Sequence, residues 1–404
     1  MASKALKGLK VLEFGDSIAV PYCAKIFADL GAEVIKIENP KGGDSTRHLG
    51  PFPNDNPNLE MSGLFLSLNT SKLGMTLDVF SEQGRKIFLE LLKTTDVLIE
   101  NNPPHKMKHF NLSYEFLKTI NSQVIVTSVT PFGWSGPYSH FKGADINVLA
   151  FAGVSNAVGD PEQPPLTLPL GQGEYQAGLS AAAGTLLAVL ARNVTGRGQH
   201  VDIASFQVWA TIHQGAAATT FMYIGSTAGR KGRTRGDLYP YTLLRCKDGY
   251  ICLIAREGRQ WKRFLVEVME REDIASNPKY RDRRVVGEQL HQEMDALLSP
   301  WFLERTKSEI FKLCQAHAVP FAPVLDIAEV VNHEHLRARE FFQEVTHPVA
   351  GKVLYPGAPY KFSETPWQIG SSAPTLGQDT ANILKTHLNF SNTEILRLYS
   401  QGTI

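Results

Sequence analysis

Short runs of β-branched and aliphatic residues alternate with stretches of helical hydrophobic period through the first half of the chain. Lys10 to Phe14 reads as a strand, and the apolar spacing of Val20 to Leu30 as a helix that Gly31 stops. Ala32 to Glu38 reads as the next strand. Strand, helix and strand in direct succession form a βαβ unit, which predicts a parallel sheet. Strand signals continue in SKLGMTLDV, TDVLIEN and QVIVTSVTPFG, separated by predicted helices over Ser81 to Leu92 and Ser113 to Ile120. This alternation predicts an α/β fold. A long helix from Leu179 to Arg192 follows, rich in Ala and Gly that permit close packing, and HVDIASFQVWATIHQG reads as a strand running into a helix.

The pattern changes after Ile224. GSTAGRKGRTRGDLYP is polar, basic and Gly-rich, and reads as a linker or loop. YTLLRCKDGYICLIA predicts a hairpin turning at Asp248-Gly249, and helical periods recur around Trp261 to Glu270, Gly287 to Leu303 and Lys307 to Ala318. Pro-rich loops and short strands then lead to a last helix near Asn392 to Tyr399. A length of 404 residues suits two domains or one elaborated domain, and 43% hydrophobic residues can bury a sizeable core. Lys plus Arg number 41 against 40 for Asp plus Glu, and this balance argues against a nucleic-acid partner. The cysteines Cys23, Cys246, Cys252 and Cys314 are too scattered for a disulfide framework, and no CxxC pair is present for a zinc ribbon. MASKALKGLKVLEF lacks the apolar core of a signal peptide, and the apolar stretch Ala177 to Ala191 is too short to span a bilayer. No membrane partner is expected, and a soluble cytoplasmic enzyme is.

Candidate chemistry begins in the loop after the first strand. A dinucleotide site needs G-x-G-x-x-G there, and Gly15-Asp16-Ser17-Ile18-Ala19-Val20 has one glycine, which leaves Glu38 without a ribose to bind. His333 and His335 are spaced to different faces of a helix, which disfavours a metal pair. The turn PKGGDSTR, with Lys41 and Arg47, reads either as an ordinary surface loop or as a phosphate cradle. Lys142 and Asp145 read as a solvated loop pair. Glu174, after a Pro/Gly loop and just before the long helix, reads either as an acid complementing the helix dipole or as a carboxylate nucleophile beside backbone amides.

The segments LKGLKVLEF, LGAEVIKIENPKGGDSTR, LNTSKLGMTLDVFSEQG, DVLIENN, SVTPFGWSGPYS, GDPEQPP, ARNVTGRGQHVDIA, CKDGYICL, AVPFAPV, GAPYKFSETP and LGQDT stand in a telling order. Together, over nearly the whole chain, they make it resemble the class III CoA-transferase family, which includes formyl-CoA transferase, carnitine CoA-transferase and the α-methylacyl-CoA racemases. The resemblance implies a Rossmann-like large domain built from both chain ends, residues 1–224 and 331–404, and a smaller α+β domain with its linker over 225–330. It also implies an interlocked dimer, of two copies or of this chain with a paralogue. Coenzyme A or acyl-CoA is then a substrate, together with a carboxylic acid, and neither a tightly bound cofactor nor a metal is expected.

By position, Asp16, Ser17, Ile18 and Ala19 match the family's CoA-contacting loop. Leu77 matches an adenine contact, Asn101 and Asn102 the stretch beside pantetheine and diphosphate, and Lys142 a CoA-contacting lysine. Lys106 or His109 stands where the family has an arginine. The family's nucleophilic aspartate lies in a segment like ADYxAGL, and GEYQAGL puts Glu174 in its place. The longer side chain keeps the chemistry, but a misplacement near 1 Å costs about 10²-fold, so the pocket must adapt or the subunit is weak. The racemase branch carries a histidine at the position of Ala144, and without that second base racemisation is the least favoured reading. The expected reaction moves CoA from an acyl-CoA, with succinyl-CoA a candidate donor, to a carboxylic acid through an enzyme-bound thioester. The alternative is a non-catalytic CoA-binding subunit of a heteromeric enzyme of the benzylsuccinate type. The basic loop Arg230 to Arg235 is a candidate for substrate selectivity.

Overall fold

The computed structural model describes residues 4–212, 215–227, 229–232 and 238–404, with side chains outside 215–217. Two compact units emerge: Met1–Val154 with Leu168–Thr219 and Glu334–Ile404, and Ser155–Thr167 with Thr220–His333. Of the basic loop, Arg233 and Arg235 lie outside the described residues.

The first unit holds a parallel sheet of β1 (Lys10–Phe14), β2 (Glu33–Glu38), β3 (Leu73–Thr76), β4 (Val97–Glu100), β5 (Ile125–Thr130) and β6 (His200–Ala204). Their order is β3-β2-β1-β4-β5-β6. The chain starts mid-sheet, steps outward to β3, and returns to β4 on the other side of β1. The loops after β1 and β4 therefore part in opposite directions and leave a crevice at the carboxyl ends of these strands. Strands buried on both faces read as continuous apolar runs, which is why TDVLIEN and QVIVTSV were legible. One face packs Leu12, Leu98, Val126, Phe88 and the C-terminal residues Ile383 and Leu384. The other packs Val11, Val97 and Ile99 under the helices Ala19–Asp29 and Gln172–Thr195.

Helix Gln172–Thr195 starts ahead of the expected Leu179. Gly171, at φ 68°, turns the chain into the helix, so Glu174 lies in the first turn rather than before it. At 24 residues the helix is long and apolar enough to cross a bilayer, contrary to the estimate from Ala177 to Ala191. Its buried face of Ala177, Gly178, Ala181, Ala182 and Thr185 packs instead within this unit, and Thr185 shares a hydrogen bond with Thr127 of β5 at 2.7 Å. The edge of β3 is covered by residues from the far end of the chain. Asp379 Oδ2 accepts from Gly74 N at 2.8 Å, Thr380 Oγ1 accepts from Thr76 N at 3.0 Å, and Thr403 O accepts from Asp78 N at 2.8 Å.

In the second unit β7 (Tyr241–Cys246) and β8 (Gly249–Ile254) form an antiparallel hairpin joined by β9 (Ala322–Pro323). Gly249 pairs with Cys246, so the turn is Lys247-Asp248, one residue earlier than expected. Trp261, Phe264, Phe302 and Phe321 centre a separate core.

Beneath the first turn of helix Ala19–Asp29 lies a buried ion cluster. Lys36 Nζ donates to Glu13 Oε1 at 2.7 Å and Asp44 Oδ2 at 2.6 Å, while Lys72 Nζ lies 2.7 Å from Glu13 Oε2 and donates to Pro21 O at 2.8 Å. Glu13 and Lys36 are 0% exposed. Burial alone would raise Asp44, yet Lys36 and hydrogen bonds hold it down to about 2. Burial pushes Lys72 down to about 8 in spite of Glu13. Beside this cluster Arg47 is fully buried, bonded to Glu38 at 2.7 Å, Glu60 at 2.8 Å and Pro374 O at 3.0 Å, with its guanidinium 3.6 Å over Phe65. Arg47 therefore anchors the PKGGDSTR turn and cannot cradle a phosphate, and Glu38 is its partner rather than a ribose ligand. Gly43, at φ 74°, has no room for a Cβ, which would meet Arg47 Cδ at 2.7 Å.

Removing one member of a buried ion cluster strands the others, at about 3–5 kcal/mol. Lys36→Met should lower unfolding free energy by about that amount, read from the urea midpoint at unchanged m-value.

Candidate active site

β1 ends at Phe14, and Gly15 to Ile18 carry the chain into helix Ala19–Asp29. Two asparagines just past β4 continue the β1–β4 pairing beyond the strand ends. Asn101 Nδ2 donates to Asp16 O at 2.7 Å and its Oδ1 accepts from Asp16 N at 3.0 Å, while Asn102 Nδ2 donates to Phe14 O at 2.9 Å. Asp16 Oδ1 accepts from Ser17 N and Ser45 N, both at 2.7 Å, tying the loop to the PKGGDSTR turn. Burial, and then the nearby Asp44, raise the Asp16 carboxyl above its ordinary range. Gly15 is required because a Cβ would fall 2.4 Å from Val20 Cγ1.

Ser17 sits at φ 69°, a conformation a non-glycine residue adopts only when its surroundings impose it. That turn aims its hydroxyl at Glu174 Oε1, 3.1 Å away. Glu174 Oε2 accepts from Ile18 N at 2.9 Å and Ala19 N at 3.3 Å. The half-buried carboxylate thus occupies the N-terminus of helix Ala19–Asp29, where free amides and the helix dipole favour negative charge. Its own N–H donates to Asp145 Oδ1 at 3.0 Å.

The reach of Glu174 depends on small residues along its helix. Gly178 lies one turn further on the same face, and a Cβ there would meet Ala19 O at 2.5 Å. Gly173 makes similar room, since its Cβ would fall 2.6 Å from Asp145 Oδ1. These glycines are the signal by which Asp145 could have been found. Sequence reasoning read Asp145 as half of a solvated pair with Lys142, whereas it braces the first turn of the Glu174 helix.

The structure brings together Asp16, Ser17, Ile18, Ala19, Asn101, Asn102 and Glu174. Lys142 is exposed in the turn ahead of helix Asp145–Phe151. Leu77 is 2% exposed and packs in the core with Phe14 and Phe88, so its side chain is not on a binding surface. Lys106 holds its ammonium 3.4 Å over the Phe80 ring, and burial lowers its pKa. Among the described residues no three His, Cys, Asp or Glu side chains gather as a metal site requires. Missed altogether was Glu100, the last residue of β4, which is 0% exposed below Asn101 and Asn102.

Fold and site define a doubly wound α/β protein centred on a carboxylate at a helix N-terminus. The chain belongs to CoA-transferase family III, whose model matches residues 6–380. It is 33% identical to the succinyl-CoA:(R)-benzylsuccinate CoA-transferase subunit BbsE of Thauera aromatica, over 95% of this chain and 94% of that one. It is 32% identical to the succinyl-CoA–L-malate CoA-transferase alpha subunit of Chloroflexus aurantiacus, over 99% of this chain and 92% of that one. A CAIB/BAIF family protein from Brucella suis superposes with a TM-score of 0.86 at 26% identity, covering 96% of this chain and 100% of that one. The protein is accordingly a CoA-transferase, exchanging CoA between carboxylates with CoA thioesters as substrates.

Gly to Ala inside a helix normally stabilises by about 0.5–1 kcal/mol. At Gly178 the close approach to Ala19 reverses the sign. Gly178→Ala should lower Tm, measured by calorimetry, because its Cβ pushes the helix off Ala19 O.

Proposed function

We propose that this enzyme takes CoA from an acyl-CoA, with succinyl-CoA as donor, and passes it to a second carboxylic acid with Glu174 as the nucleophile. The observation that carries this reading is the asymmetric seat of the carboxylate. Oε2 accepts two backbone N–H groups, while among the described residues Oε1 is held by the Ser17 hydroxyl alone at 3.1 Å. Oε1 is therefore the oxygen free to attack. It adds to the thioester carbonyl, the C–S bond breaks, and a mixed anhydride and CoA thiolate result. The thiolate then attacks the Glu174 carbonyl carbon, expels the donor carboxylate and leaves a glutamyl-CoA thioester. In that tetrahedral intermediate the negative charge falls on Oε2, where Ile18 N–H and Ala19 N–H are already in place. The acceptor carboxylate attacks the same carbon, releasing thiolate and forming a second anhydride. Thiolate attack on the acceptor's acyl carbon yields the new acyl-CoA and restores the Glu174 carboxylate.

The extra methylene of glutamate is compatible with this seat, since the Ile18 N contact is 2.9 Å. CoA would lie along the loop Asp16 to Ala19, Asn101, Asn102 and Lys142, with the main chain at Leu77 beside the adenine. The succinyl-CoA donor is supported by the names of the relatives, which include succinyl-CoA:glutarate and succinyl-CoA:mesaconate CoA-transferases. A second reading draws on the relatives that are subunits: the chain binds CoA in a heteromer whose paralogue supplies the nucleophile. In both readings it works in a soluble cytoplasmic enzyme, assembled with a second copy in the first and with a paralogue in the second.

Incubation with succinyl-CoA should add the mass of CoA less one water at Glu174, and hydroxylamine should displace that CoA and leave a hydroxamate. Glu174→Gln should abolish the adduct and cost on the order of 10³-fold or more in turnover. An unchanged rate in that variant would reject the nucleophile and leave the CoA-binding subunit. Light scattering at micromolar concentration should give at least a dimer mass, and a monomer would refute the assembly.

A further inference from the structure

The loop that seats Glu174 hangs from a buried acid with no part in the reaction just described. Glu100 closes β4, aligned with Phe14 of β1 on one side and Ser128 of β5 on the other. Its Oε2 accepts from Asn102 N at 2.7 Å, and Asn102 holds Phe14 O while Asn101 holds Asp16 at both its N and O. One residue thus anchors the main chain of the clamp on the Phe14–Ser17 turn. The other side of Glu100 is incompletely satisfied. Ser128 and the Trp134 indole lie against the carboxyl, yet neither Glu100 Oε1 nor Trp134 Nε1 completes a hydrogen bond among the described residues. Ser128 Oγ is 2.9 Å from His200 Nε2, and the His200 ring packs on Tyr114 and edge-on to Trp134. Asp202 and Glu115 act electrostatically on the neighbouring His200.

We propose that Glu100 is a positioning residue for CoA transfer: the charge on its buried carboxyl sets how firmly Asn102, and through it the Phe14–Ser17 turn, holds the Glu174 carboxylate. The inference rests on Glu174 as the reacting group, but its first test does not. A carboxylate accepts from Asn102 N more strongly than a carboxylic acid does. Burial raises Glu100 to about 7, opposed by the bond from Asn102 N and by the polar groups of Ser128 and Trp134 beside it. Burial also lowers the His200 pKa, against Asp202 and Glu115, which raise it.

The sign separates positioning from stability. A carboxyl raised above its unfolded value binds more protons when folded, so global stability falls as pH rises towards 7. Seating of the turn should tighten over the upper part of the same range. Amide hydrogen exchange of the free full-length protein, corrected for intrinsic rates, should show Ile18 and Ala19 protection rising about tenfold from pH 6 to 8. In Glu100→Gln, a neutral side chain of the same shape, protection should be flat near the low-pH level. Adduct formation from succinyl-CoA should follow the same profile, with KM for succinyl-CoA within about twofold of wild type. Parallel exchange profiles in wild type and Glu100→Gln would overturn the proposal. If that variant does not fold, Ser128→Ala must move the wild-type exchange midpoint upward, and an unmoved midpoint overturns it as well. Failure of the nucleophile reading appears elsewhere, as an unchanged rate in Glu174→Gln.

Discussion

The absence of a Cβ at Gly178 is the constraint on which the site depends. Two helices that touch backbone to side chain cannot bring a glutamate one turn away onto the amides of their neighbour. With Gly178 against Ala19 O, the Glu174 carboxylate reaches Ile18 N at 2.9 Å. The remaining small residues on that face, Ala177, Ala181 and Ala182, keep the helices close over the following turns. Helix Gln172–Thr195 trades the apolar burial of large side chains for proximity, and its large residues Leu187, Leu190 and Val194 face outward.

Proximity alone would not hold a negative charge in place, and the floor beneath it is also charged. Glu13, Lys36, Asp44 and Lys72 fill the space under the first turn of helix Ala19–Asp29, with Lys72 gripping Pro21 O. Such a cluster stabilises less than a well-packed apolar core would, but it resists rearrangement, because moving one member strands the rest. The Phe14–Ser17 turn therefore runs between Glu13 of the ion cluster and the helix that Lys72 grips, and is held by Asn101 and Asn102 on one side and by Glu174 on the other. A positive φ at Ser17 survives because these three restraints agree.

Much of the first unit was legible because parallel strands buried on both faces are rich in aliphatic and β-branched residues, as in Lys10 to Phe14 and Ile125 to Thr130. The site loop and Glu174 were legible through their resemblance to a family, and Ser17, Ile18 and Ala19 do meet Glu174. Periodicity failed where glycines serve packing. Gly171 and Gly173 suggested a loop and concealed the first turn of the helix, and with it the brace from Asp145. Arg47 was misread because its partners Glu60 and Pro374 are remote in sequence, so a buried guanidinium looked like a surface cation. Glu100 was overlooked because one carboxyl at the end of an apolar strand carries no pattern. Leu77 was matched by position, and position says nothing of which way a side chain points.

The cover on β3 has a consequence for the order in which the molecule is made. Asp379, Thr380 and Thr403 cap the main chain at Gly74, Thr76 and Asp78, and Ile383 and Leu384 complete the core beside that edge. During synthesis those residues leave the ribosome some three hundred positions after the strand they protect. Throughout that interval the outer strand of the nascent sheet presents open amides and an unfinished apolar face. A chaperone that shields extended apolar segments would find its binding site there, and a stop codon shortly before Asp379 would leave a protein with the loop that seats Glu174 encoded in full and its sheet edge permanently bare.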